Sequence, residues 1–208
     1  MLATVSRHLL TTTHMDERTF WNWVLDNKES LKNFIESDSD NYNLYNELTR
    51  KLHEYSDKIF IELTIDLQGN IVVILTSDGM KTGIPFVENL CRMAPNIEGL
   101  HIQKYRKPGH VKELNFDGLY LKPNDFKITY MKAHENEPFD VTIYIRGYKR
   151  NDERYKSLAF LYLDHFLGEY MVMTEIGQVS FEGFNYFIRV KNSVSLQNFK
   201  LILNRQVN

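Results

Sequence analysis

"KIFIELTI" (58–65), followed by "DLQGN" (66–70) and "IVVILT" (71–76), decides the fold. Upstream of it apolar residues recur at helical spacing. Here the spacing drops to two, and Ile59, Ile61, Leu63 and Ile65 fall on one face of an extended chain. The polar turn joins two strands as a hairpin, and the second run is apolar enough for a buried strand. A chain that carries both periods is α+β, with helices packed on a mixed or antiparallel sheet.

Residues 16–35 predict an amphipathic helix. Phe20, Trp23, Val24, Asn27, Leu31, Phe34 and Ile35 share one face of the period of about 3.6 residues. "ESDSDNYN" (36–43) breaks it, and Leu44, Tyr45, Leu48, Leu52 and Tyr55 mark a second helix. The short connection makes the two an antiparallel N-terminal helix pair.

Downstream of the hairpin a helix is expected over about 85–95 and a strand over 100–106. The same order returns: strands at 126–133 and 139–146, a helix at 152–167, an extended stretch at 170–182. The chain therefore carries strand–strand–helix–strand twice, at 58–106 and 126–182, a duplication of pattern without residue identity. "FNYFIRVK" (184–191) reads as a strand and 193–204 as a short helix. The loop 107–118 is the best seam, but nothing resembles a linker, so 16–208 is taken as one α+β domain. Residues 1–15 read as a disordered tail, with Met15 as an alternative start.

With 43% hydrophobic and 13% aromatic residues, the 208-residue chain has ample material for a core. A net charge of −2 marks no nucleic-acid or membrane partner. No apolar run approaches the roughly 18 residues of a membrane helix. The single cysteine, Cys91, excludes an internal disulfide and fits a reducing compartment.

"ILTSDGMKTGIPFVENLCRM" (74–93) superficially resembles a phosphate loop. A P-loop needs its second Gly directly before the Lys. Here Lys81 and Thr82 precede Gly83, and Pro85 adds no donor, so the loop reads as a turn. Cys91 falls on the apolar face of the following helix with Val87, Leu90 and Ala94, as a structural thiol. The seven histidines show no metal spacing, and "DSDNY" (38–42) lacks the Gly and the final carboxylate of a calcium loop. Asp164 and His165 are sequence neighbours in a helix. Glu62 and Glu175 sit in expected strands with no partner in view. No catalytic, cofactor-binding or metal-binding residue is assigned, and no cofactor is expected.

One basic stretch carries an interleaved aromatic: Lys104, Tyr105, Arg106, Lys107 and Lys112, within "QKYRKPGHVK" (103–112). It is the candidate interaction patch, for an acidic protein face or a nucleic-acid backbone.

"FWNWVLDNKESLKNF" (20–34), "DGLYLKPNDF" (117–126), "DERYKSLAFLYLDHFLGEY" (152–170) and "TEIGQVSFE" (174–182) resemble a family of uncharacterised bacterial proteins. The resemblance covers most of residues 20–182. It implies a bacterial, cytoplasmic protein and carries over no functional residue.

These readings favour a non-catalytic protein-binding or regulatory module, of the kind that toxin-neutralising immunity proteins represent. The 12 Tyr and 13 Phe supply interface anchors. The alternative is a small enzyme whose site is assembled from separated residues. The partner expected is another protein, with nucleic acid and membrane disfavoured and the oligomeric state left open.

Overall fold

The computed structural model describes residues 15–37, 42–109, 112–185 and 190–205. The N-terminal tail expectation lies outside them except for Met15, which is buried in a core and donates its N–H to the Glu54 carbonyl at 3.2 Å.

The first expected helix is two: α1 (Glu17–Asp26) and α2 (Lys28–Glu36). Asn27 breaks them with φ −104° and ψ 7°, its side-chain amide donating to the Trp23 carbonyl. An Asn that can bond to its own backbone ends a helix that the apolar spacing alone would continue. After α3 (Asn43–Tyr55) come β1 (Phe60–Ile65) and β2 (Ile71–Thr76), paired antiparallel. Asp66 ties their turn by accepting from the N–H groups of Gln68 and Asn70. The chain then crosses through α4 (Ile84–Arg92) to β3 (Leu100–Lys104), parallel to β2.

The seam expected at 107–118 contains part of a small hairpin, β4 (Leu114–Phe116) with β5 (Leu119–Leu121). Its turn needs left-handed backbone at Asp117 and Gly118, the residue pair that favours such turns. The second unit follows: β6 (Phe126–Met131) antiparallel to β7 (Phe139–Arg146), then α5 (Arg154–Leu167) and α6 (Glu169–Glu175), then β8 (Ile176–Phe184) parallel to β7. The last element is α7 (Leu196–Asn204).

The fold is α+β, and the strand–strand–helix–strand order occurs twice with the same strand order and pairing directions. The strands divide over two three-stranded sheets and a hairpin, where a single sheet was expected. Each unit covers its apolar sheet face with its own helices, giving two cores. The extended stretch expected at 170–182 is a strand only from Ile176. Before it, Gly168 (φ 91°) ends α5 and "EYMVMTE" coils again, since Met and Glu favour helix and Met173 fills a gap in the first core.

The two units meet at α5. One side of α5, with Leu158, Tyr162 and Leu163, is buried in the second core. The other side carries Ser157, Phe160, Leu161 and Asp164 toward the first sheet.

Candidate functional site: a cleft between the two units

Period two places Ile61, Val73 and Leu75 in the first core. The cross-strand row Glu62–Ile74–Gln103 therefore lies on the opposite sheet face, which α1 to α4 leave uncovered. Between that row and the outer side of α5 lies a cleft of about 620 Å³. A smaller hollow of about 360 Å³ continues past Asp78, Phe160 and Asp164 toward Met80 and Gly177. Phe160 is 43% exposed and Leu161 37%, so the cleft has an apolar lip on α5.

Arg106 stands at the centre of its charges. Its guanidinium donates to Glu62 (Nε to Oε1, 2.7 Å) and to Asp78 (Nη1 to Oδ1, 3.0 Å). Burial alone would lower the Arg106 pKa, but the hydrogen bonds to Glu62 and Asp78 outweigh it and hold the guanidinium firmly charged. Asp164 differs from the other carboxyl groups. It accepts no side-chain hydrogen bond among the described residues, and its pKa is pushed up to about 6. Burial is the main cause, the Glu169 charge the next, and Arg106 opposes both.

Beneath the cleft, Glu169 is fully buried. Its Oε1 accepts from the Thr76 hydroxyl at 2.5 Å, the Ser77 N–H at 3.1 Å and the Gly79 N–H at 3.4 Å. Its Oε2 accepts from the Arg106 N–H at 3.1 Å, and its own N–H donates to the Arg106 carbonyl at 3.0 Å. The loop that resembled a phosphate loop is indeed a turn, and two of its amides hold an anion that the chain itself supplies.

Two non-glycine residues here have left-handed backbone, Asp78 (φ 49°) and Tyr105 (φ 58°). Asp tolerates that region, but a bulky aromatic seldom does. Tyr105 is held there by burial, by its ring against Tyr170 at 5.1 Å, and by its hydroxyl donating to Glu88 at 3.2 Å. Such strain persists where the surroundings over-determine it.

The basic patch expected from sequence is taken apart by the fold. Lys104 pairs with Glu88, Tyr105 is buried, and Arg106 is bound to Glu62 and Asp78. Lys107 lines the cleft, and Lys112 is exposed beyond it. Asp164 and His165 both line the cleft, together with Glu62, while Glu175 lies elsewhere at the end of α6. His101 stands 4.0 Å from Asp66, and His110 lies outside the described residues. Cys91 is half-buried, its thiol pushed up to about 11 by burial. Among the described residues no group of three or more His, Cys, Asp or Glu is placed to hold a metal ion. No helix among them is long and apolar enough to cross a membrane.

No family model, curated protein or solved structure matches this chain. Glu169 and the cleft carboxylates gave no local signal: the hydrogen-bond partners of Glu169 lie 63 to 93 positions away.

Proposed function

We propose that this chain is a non-catalytic protein-binding module of immunity-protein type, acting in the cytoplasm, and that its partner docks at the cleft between the two units. The occupant is a segment of another protein that presents a basic side chain beside an apolar one. The observation that carries the reading is the juxtaposition of half-exposed Phe160 and Leu161 with Asp164, whose carboxyl meets no hydrogen-bond donor among the described residues. An exposed aromatic anchor and its apolar neighbour beside a carboxylate favour a partner of matching shape and opposite charge.

The test is capture from native lysate with wild type and with Phe160→Ser, the fold of each checked by circular dichroism. One stoichiometric partner retained by wild type and lost by the variant is expected. Equal retention by both removes the interface from the cleft. Absence of any stoichiometric partner overturns the reading.

A second reading is a small enzyme with its site assembled from separated residues. It draws on the raised Asp164 pKa, since a carboxyl near 6 beside a fixed cation is suited to proton transfer. Turnover of any substrate in a broad hydrolytic screen, abolished by Asp164→Asn, would favour it over docking. Nucleic-acid binding through 103–112 has the weakest support, because acids from other segments already engage Lys104 and Arg106. A gel shift at low salt is its test.

A further inference from the structure

We infer that the end of β2, the turn after it and the end of β3 form a carboxylate-binding site in its own right, and that Glu169 is its built-in occupant.

The donors converge from two separate segments. Thr76, Ser77 and Gly79 come from the end of β2 and its turn, and Arg106 from just beyond β3. All four donate to one carboxylate. Three are backbone N–H groups, whose direction the main chain sets and a side-chain rotation cannot. The left-handed residues set that direction. Asp78 and Gly79 (φ 79°) curl the turn so that the Ser77 and Gly79 amides point the same way. Tyr105 turns the chain so that the Arg106 amide meets them. Main-chain amides aimed at one point make an anion-binding concavity. This one sits at the carboxyl ends of a parallel strand pair, where open α/β sheets hold anionic ligands.

The cradle is also braced without Glu169. The Thr76 hydroxyl accepts from the Asp78 N–H at 2.9 Å, and the Met80 N–H donates to the Ser77 carbonyl at 2.9 Å. Tyr105 donates its N–H to the Leu75 carbonyl at 2.8 Å. These bonds lie within the first unit, so the donors stay aimed when the glutamate side chain is absent. Glu169 arrives from the other unit and fills the cradle as a ligand would. It does not line the cleft, so the inference is independent of what docks there.

The experiment uses the full chain carrying Glu169→Ala, which removes a methylene and a carboxylate, the skeleton of acetate. Acetate is titrated against sodium chloride of equal ionic strength while Tm is followed. Tm of the variant should rise along a single-site curve, by roughly 3–6 °C for each tenfold of acetate beyond its Kd, with wild type unmoved. Amide proton resonances of Ser77, Gly79 and Arg106 should shift in step with it. No rise beyond that in chloride, or an equal rise in wild type, overturns the inference. Should the variant fold only in acetate, unfolding on dialysis into chloride supports it. Should it fold in neither, Glu169→Gln decides, because a neutral amide of the same shape must then lower Tm. Stability equal to wild type would mean the cradle has no preference for an anion.

Discussion

Arg106 reaches Glu62 across the middle strand of the first sheet, its Nε donating to the carboxylate at 2.7 Å while Nη1 reaches Asp78. Replacing it with Met keeps the apolar stem and removes the guanidinium that lines the cleft. Glu62 and Asp78 lose their partner, and the one charge that lowers the Asp164 pKa is gone. NMR titration of Arg106→Met should place Asp164 above its present value of about 6. Urea denaturation should show a loss of about 1–2 kcal/mol, modest because both carboxylate partners are partly solvated.

Asp164 sets a pH dependence of definite sign. Its folded pKa, about 6, lies above the ordinary 3.8. The folded state therefore binds the proton more tightly, and this contribution to stability is complete below the ordinary value and lost as pH rises through about 6. Asp164→Asn, which cannot ionise, should be more stable than wild type at pH 7, with the difference shrinking as pH falls toward 4. Matched urea curves at the two pH values check it. A variant less stable than wild type at pH 7 contradicts the placement of this carboxyl.

Gly83 is needed for space and not for backbone freedom. Its φ is ordinary, but a Cβ there would lie 2.5 Å from Ser77 Cβ and closer still to the Lys58 carbonyl oxygen. Neither obstacle is a flexible chain end, so the turn carrying the Glu169 donors must move. Gly83→Ala should cost about 1–3 kcal/mol in chemical denaturation, in the range of overpacked cores.

Cys91 should resist thiol reagents. With its pKa at about 11, the thiolate is scarce at neutral pH. Labelling by iodoacetamide at pH 7.5 should be slow in the folded protein and fast in denaturant. Rapid labelling without denaturant would place the thiol outside the apolar face of α4.

Elements whose faces follow a simple period were legible in the sequence. The alternation of Ile59, Ile61, Leu63 and Ile65 marked the strand that the structure shows as β1. The apolar spacing of α3, α4 and α5 likewise survives in the structure. Short-range backbone chemistry overrode periodicity at Asn27, which splits one expected helix, and at Gly168, which lets α6 form where a strand was expected. The cleft was illegible for a different reason. Glu62, Asp78 and Arg106 come from β1 and two strand ends and meet through strand pairing in the first sheet, and only the docking of α5 from the other unit adds Asp164. No spacing within a segment encodes that contact.

A chain is made from its N-terminus, and this one is built in an order that matters. Every buried residue of the first core is present once Tyr105 has been added, except Met173, whose sulfur accepts from the Ser77 hydroxyl at 3.0 Å. A nascent chain thus carries nearly all the residues of one core, but not the side chain that meets Ser77, while α6 is still to be translated. Met173 and Glu169 reach the end of β2 together, so a chain halted before α6 lacks both the sulfur that meets the Ser77 hydroxyl and the carboxylate that meets the turn amides.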